Sequence, residues 1–187
     1  MLIRVERPED VAGIAAVLAD AFGRPGESKT PSEVGLVAAL RESDSWVASQ
    51  SLVAVEGDLI IGHCLCSRAF VDETPVLALG PIGVRQDWQG RGVGSALVRQ
   101  AIDIAIDMGE ELIGLLGDPA FYGRFGFVAA SDLSIESPDP AWGRAFQARQ
   151  LGDSPVTGRF EYAAPFLESV EIASGALSTR PRPTPPS

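Results

Sequence analysis

The chain has 187 residues, 45% of them hydrophobic, which suits one ordinary core and a single domain. Its 25 acidic and 15 basic residues give a net charge of −10, which argues against a broad footprint for nucleic acid or for an anionic membrane surface. No stretch approaches the ~20 apolar residues needed to cross a bilayer, and the opening Met1-Leu2-Ile3-Arg4 is unlike a secretory leader, so an unexported, cytoplasmic protein is expected.

Leu2 to Val5 reads as a short strand, and after Pro8 the apolar residues Val11, Ile14, Leu18, Ala21 and Phe22 recur at helical spacing. Thr30-Pro31-Ser32-Glu33 has the pattern of a capping box, with Thr30 as cap and Glu33 reaching back, and opens a second helix to about Arg41. Ser51 to Glu56 and Leu59 to Ser67 are apolar runs joined by Gly57-Asp58, the mark of a hairpin. Val76 to Val84 is a further strand that contains Pro81. Proline donates no hydrogen bond, so the sheet is expected to open there.

After Gln89-Gly90-Arg91-Gly92-Val93-Gly94 the residues Val93, Leu97, Ala101, Ile104, Ala105 and Met108 form a helical stripe, with Gly109 placed to end it. Glu111 to Leu116 is the next strand, Pro119 to Tyr122 a short helix, and Arg144 to Leu151 and Gly158 to Ala163 two late strands. Residues 1–177 are expected to form the domain, and residues 178–187, rich in proline, a disordered tail.

Cys64 and Cys66 stand at i and i+2 in a strand, facing the same way at a separation poorly suited to a disulfide, so both are expected to be reduced core thiols. Those two cysteines with His63, the single histidine, make no plausible ligand set, and no metal is expected. His63 itself suits a structural hydrogen bond in its strand.

A strand, a glycine-rich turn and a helix together make an anion site, because unpaired amides at a helix start point outward and the helix dipole adds partial positive charge. The amides from Gly90 through Val93 and Gly94 to Ser95 are expected to cradle a pyrophosphate, with Gln89 and Arg91 at the rim. Two other phosphate loops are disfavoured. Gly90-x-Gly92-x-x-Ser95 lacks the third glycine of a dinucleotide fingerprint, and the Gly-Lys-Ser/Thr of nucleotide hydrolases is missing, Lys29 being the chain's one lysine.

The segment Val84-Arg85-Gln86-Asp87-Trp88-Gln89-Gly90-Arg91-Gly92-Val93-Gly94-Ser95 resembles the acyl-CoA-binding motif of the GNAT superfamily, Gln/Arg-x-x-Gly-x-Gly/Ala after a strand, matched by Gln89, Gly92 and Gly94. Leu116-Gly117-Asp118-Pro119-Ala120-Phe121-Tyr122-Gly123-Arg124-Phe125-Gly126-Phe127 resembles the segment after the fifth strand in the YhbS-like subgroup of that superfamily. The resemblance spans roughly Leu2 to Ala163. It implies a mixed α/β fold, a mixed sheet flanked by helices and splayed into a V between the strands ending at Val84 and Leu116. It also implies acetyl-CoA as co-substrate, with the pantetheine arm along Ile82, Gly83 and Val84 and bonded to the backbone of Ile82 and Val84.

Under that resemblance the reaction is transfer of an acetyl group to a primary amine, on a small molecule or a peptide. Amine attack on a thioester needs a neutral amine, a donor for the developing oxyanion and a proton for the thiolate. The resemblance implies the amide of Val84 as oxyanion donor and the Tyr122 hydroxyl as general acid. Neither cysteine lies in a nucleophile motif, so direct transfer in a ternary complex is expected. Asp72, Glu73, Glu27 and Glu33 are the carboxylates within sequence reach of the acceptor side, with ordered water as the alternative base. A non-catalytic acyl-CoA-binding regulator or scaffold, and an enzyme for a longer acyl donor, are the competing readings. The acceptor's identity and the oligomeric state, a homodimer included, stay open.

Overall fold

In the computed structural model, residues 1–23 and 29–166 are described. Glu27, the proline-rich segment and the domain boundary expected at residue 177 lie outside the described residues. The first half of the chain forms β1 (Leu2–Val5), α1 (Val11–Phe22), α2 (Ser32–Arg41), β2 (Ser51–Glu56), β3 (Leu59–Val71) and β4 (Thr74–Val84). The second half forms α3 (Val93–Asp107), β5 (Leu112–Leu116), α4 (Pro119–Tyr122), β6 (Val128–Ala129), β7 (Ile135–Glu136), β8 (Phe146–Gln150) and β9 (Gly158–Glu161). The expected order holds, with β6 and β7 added. At two residues each they carry no periodicity to read.

Among the described residues the strands form one mixed sheet in the order β1-β2-β3-β4-β5-β8-β6, and β9 pairs with β3 and β7. Alternation along the strands divides the core. Leu52 and Ala54 of β2 face α3, packing with Leu97, Val98 and Ala101, while Val53 between them faces α1 and α2 with Leu18, Val37 and Leu40. A third cluster, centred on Phe146 and Phe160, lies under β5, β8 and β9.

Two local expectations are corrected. Thr30 caps nothing: Pro31 is itself the cap residue of α2, with extended angles (φ −56°, ψ 144°), so the helix begins one residue later and no side-chain cap forms. The Glu33 carboxylate, freed from the capping box, meets the Ser32 hydroxyl at 3.4 Å. Asp72 and Glu73 are not beside the central cleft but form the turn between β3 and β4, which continue as a hairpin to Val71↔Thr74. The Asp72 carboxylate accepts from the Arg159 amide at 3.0 Å, docking β9 onto that turn. At the end of α3, Gly109 (φ 73°) donates to the Ile106 carbonyl and Glu110 to that of Ala105, a Schellman close.

β4 and β5 run parallel but pair only through Leu77↔Ile113 and Ala78↔Gly114. Beyond those two rungs they part. Opposite Leu65 of β3 the register skips from Leu79↔Cys66 to Ile82↔Cys64, so Gly80 and Pro81 form a bulge. A bulge sharpens local twist, and Pro81 has no amide to offer a neighbour, so the strand turns away from β5 where the sequence called for it. On the other side β5 turns to β8 up to Leu116↔Phe146. The result is a V at the carboxyl ends of two parallel strands, the position in which open α/β sheets bind ligands.

Candidate active site

The V holds two cavities of about 630 Å³ each, lying end to end. The first is lined by Ile82, Val84, Trp88, Gln89, Gly90, Gly92, Val93, Gly94, Ser95, Phe121, Tyr122 and Arg124. The second takes residues from α1, α2, β4, the β5–α4 turn and the late loops. Ile82 and Tyr122 line both, so the two cavities meet at that pair.

The first cavity is built from backbone. Gly92 stands at the cap of α3 with φ 85°, in the left-handed region that disfavours a side chain, and no side chain caps the helix. The first helical bond runs from the Ala96 amide to the Gly92 carbonyl, so the amides of Val93, Gly94 and Ser95 precede the ladder and remain available to an anion. A side chain on Gly94 would lie 3.6 Å from Val84 and 3.8 Å from Phe121, so hydrogen there keeps the floor low. The loop is tied to α1 by Asp20, whose carboxylate accepts from the Gln86 amide at 2.7 Å and whose carbonyl accepts from the Gln86 side chain at 2.8 Å.

Antiparallel pairing fixes which backbone groups of β4 face the opening. The Arg85 amide donates to the Ile61 carbonyl, and the register pairs Gly62 with Val84, His63 with Gly83 and Cys64 with Ile82. Hydrogen-bonded and non-bonded pairs alternate, so Gly83 directs its amide and carbonyl at β3 while Ile82 and Val84 direct theirs into the V. The Cα of Gly83 faces away from the cavity, onto α1, where an added Cβ would stand 3.1 Å from Leu18 and 3.3 Å from Ala21. Gly83 therefore packs the sheet against α1 and does not line the cleft with its neighbours.

The two rim side chains are differently used. Gln89 donates its side-chain amide to the Val84 carbonyl at 3.0 Å, closing the loop and occupying one of the two groups that Val84 presents. Arg91 is exposed, stacked with its guanidinium 5.1 Å from the Trp88 ring, and is not in the lining. Arg124, which sequence reasoning passed over, does line the cavity, its guanidinium 5.0 Å from the Phe121 ring centre. Its signal was a lone cation in an aromatic run, too common a pattern to single out.

Tyr122 comes from α4, whose start is set by Asp118 accepting from the Ala120 amide at 2.9 Å and by Pro119 in the first turn. The ring is 8% exposed, held edge-on by Phe121 at 4.9 Å and Phe127 at 5.9 Å. It lies against Gly117, where any Cβ would stand 2.3 Å from the ring. Burial pushes its phenol well above the ordinary value, and Cys64 and Cys66 add to the shift. The hydroxyl is thereby kept protonated. Both cysteines are buried and unpaired in the same core cluster, with burial pushing the Cys64 thiol up to about 12 and the Cys66 thiol well above its ordinary value.

His63 lies outside the cleft, in a polar knot under α2. Burial opposes its protonation, and its Nε2 sits 3.0 Å from the Ser51 hydroxyl, which donates to Glu6. Arg41 donates to the same carboxylate at 2.9 and 3.2 Å. Burial works against the Glu6 charge, but the nearby His63, 3.8 Å away, and the hydrogen bonds from Arg41 and Ser51 outweigh it and hold its carboxyl down to about 2. Of the other carboxylates considered, Glu33 lines the second cavity together with Asp118 and Asp139, whereas Asp72 and Glu73 do not. Among the described residues no group of three or more His, Cys, Asp or Glu is arranged for a metal ion.

Comparison with known proteins gives this geometry a family. Residues 15–127, more than half of the chain, match the model of the acetyltransferase (GNAT) family. The chain is similar to the N-acetyltransferase YhbS of Escherichia coli (strain K12), with 33% identity over 167 residues, 87% of this chain and 96% of that one. It is similar also to the N-acetyltransferase YjhQ of the same strain, with 33% identity over 136 residues, covering 70% of this chain and 72% of that one. The crystal structure of E. coli YhbS in complex with CoA superposes with a TM-score of 0.79 at 32% identity, covering 89% of this chain and 91% of that one. A GNAT family acetyltransferase from Brucella melitensis, solved with acetyl-CoA, gives a TM-score of 0.73 at 32% identity, covering 88% and 97%. A family model over more than half of the chain and a relative a third identical along nearly its whole length leave one assignment: the chain belongs to the GNAT acetyltransferase family and is an N-acetyltransferase.

Proposed function

We propose that the protein transfers the acetyl group of acetyl-CoA directly to a primary amine, the two substrates entering the V from opposite ends. The observation that carries the reading is the pair of cavities that meet at Ile82 and Tyr122. Relatives solved with CoA and acetyl-CoA support the donor, as does the fit of the glycine loop to a pyrophosphate. In this reading the amides of Val93, Gly94 and Ser95 bind phosphate oxygens, Arg124 adds charge, and the open backbone groups of Ile82 and Val84 bond the pantetheine arm.

The oxyanion donor is then better sought at Ile82 than at Val84. Both amides face the V, but Ile82 lines both cavities whereas Val84 lines the first alone. An amide worth ~10²- to 10³-fold in rate must lie where both substrates meet. Tyr122, protonated and beside Ile82, supplies the proton that leaves with the CoA sulfur. Glu33 receives the proton lost by the amine, since Asp118 and Asp139 each already hold a backbone amide as helix caps. Buried, protonated cysteines outside the lining disfavour an acyl-enzyme step.

Two measurements test this. Thiol release from acetyl-CoA should depend on added primary amine, and a panel with no amine-dependent release would overturn amine acetylation. Intact mass spectrometry after incubation with acetyl-CoA alone should show no covalent acetyl adduct. An adduct that amine then discharges would replace direct transfer by a two-step route.

A further inference from the structure

The second cavity has a chemical character that narrows the acceptor. Resting on the amine-acetylation reading, we propose that the acceptor is a monocationic primary amine carried on an aromatic or branched apolar body, seated on a wall formed by Trp142, Tyr162 and Phe166. Among the described residues the lining contains no lysine, arginine or histidine, and its titratable groups are the carboxylates Glu33, Asp118 and Asp139 with two tyrosines. A carboxylate or phosphate on the acceptor would find no counter-charge among these described groups. A single ammonium is drawn in by three acidic groups, and the direction agrees with the net charge of −10.

The rest of the surface is apolar and pre-formed. Trp142 and Tyr162 pack edge to face with ring centres 6.1 Å apart, and Tyr162 and Phe166 are tilted at 4.9 Å, so the three rings form one contiguous apolar cluster along the cavity. Behind them the fully buried Phe146 and Phe160 pack at 6.0 Å from Trp142 and 4.9 Å from Tyr162, which limits retreat of the wall when a ligand presses on it. Leu79, Pro81 and Leu116 complete the floor. Leu116 is 44% exposed, an apolar area left to water in the free protein. Trp142 is delivered by a short 3-10 segment, Pro140–Ala145, kinked at Gly143, whose start Asp139 caps through the Ala141 amide at 2.8 Å.

Such a wall rewards apolar area and penalises extra charge. Each ring or branched alkyl group laid on it leaves water, whereas an ammonium laid on the same rings would be stripped of water against carbon. The amine end points to Ile82 and Tyr122, the apolar end to Trp142. The carboxylates draw in the ammonium, and the aromatic wall favours a hydrophobic monoamine over a polyamine, an aminoglycoside or a free amino acid.

The test is calorimetry on the full chain saturated with CoA, a dead-end complex in which acceptor binding is read without turnover. Phenylethylamine should bind about 10- to 10²-fold more tightly than n-propylamine, the fold-change that burying one ring provides, and more tightly than spermidine or phenylalanine. Trp142→Ala should shrink the phenylethylamine-to-propylamine ratio several-fold, and Trp142→Phe should retain most of it. Equal affinity for the two monoamines, or tighter binding of spermidine, of phenylalanine or of a peptide amino terminus, would overturn the proposal. Thiol release from acetyl-CoA, measured in parallel with phenylethylamine, bears separately on the transfer reading. Ordered binding without release would leave the acceptor class standing and remove the catalysis proposed for it.

Discussion

The two ends of the V recognise their ligands with different parts of the chain. The coenzyme end is one continuous segment, Ile82 to Ser95, joined by Phe121, Tyr122 and Arg124, and it presents amides. The acceptor end draws Phe22, Glu33, Leu79, Leu116, Trp142 and the pair Tyr162 and Phe166 from six separate places, and it presents side chains. Backbone recognition demands a particular local conformation, hence glycines at fixed spacing, and it suits a ligand shared by a whole family. A wall of side chains demands only that the sheet bring them together, and any apolar residue of the right size serves. The comparison explains why the donor was readable as a motif and the acceptor was not.

The sharpest way to break the comparison is at the junction, where both ends depend on one residue. Tyr122→Phe keeps the ring and its edge-on contacts, so the variant should fold and bind acetyl-CoA as before while kcat falls by about 10²- to 10⁴-fold. Steady-state kinetics with a confirmed acceptor and rate-limiting chemistry checks this. An unchanged maximal rate with lowered thermal stability would make Tyr122 a packing residue only.

A smaller loss is expected from Gly117→Ala. Its methyl would stand 2.3 Å from the Tyr122 ring, so the ring must move, at a cost of about 1–3 kcal/mol in stability and with a fall in kcat at unchanged coenzyme affinity. Thermal unfolding beside kinetics separates the two effects. Unaltered values in both would mean that Tyr122 is not held by Gly117.

Gly92→Val is the test confined to the coenzyme end. Space is open around that Cα, but φ 85° is a conformation a β-branched residue resists, at roughly 1–2 kcal/mol, and the side chain would crowd an approaching phosphate. Acetyl-CoA affinity should fall at least about 10-fold, with amine affinity little changed. Equal calorimetric affinity in a folded variant would sink the loop assignment.

The polar knot at Glu6 belongs to neither end and should affect stability alone. Its carboxyl is held at about 2, below its ordinary 4.5, so it contributes stability that is full above pH 4.5 and is lost as pH falls from there through 2. Glu6→Gln should therefore flatten the fall in melting temperature over that acidic range. Turnover relative to folded protein should be unaltered above pH 5, and a shifted activity profile there would connect the knot to the cleft.

Several features were legible because they are local. The glycine loop, Pro81 as the place of opening, the Schellman close at Gly109 and the Tyr122 helix each depend on conformations that a few adjacent residues impose. What escaped was of two kinds. The Thr30 box does not form because Pro31 takes extended angles and is itself the cap, and Asp72 and Glu73 stay out of the cleft because β3, whose apolar run ends at Ser67, continues to Val71 and turns there. Gly83 and Arg91 lie in the right segment, but strand alternation turns the first to α1 and the Trp88 ring holds the second outside the lining.

The sequence by itself determined the family, the donor end of the cleft and the general course of the sheet, because spacing of glycines, proline and apolar residues acts through neighbours in the chain. Only the tertiary structure decided that Ile82 and Tyr122 line both cavities, that Arg124 and not Arg91 is in the lining, and that aromatic residues from the late loops and the segment after β9 share a cavity with three carboxylates. Those facts depend on which side chains the divergence of β4 from β5 leaves facing one another, and contact across a gap has no period along a chain.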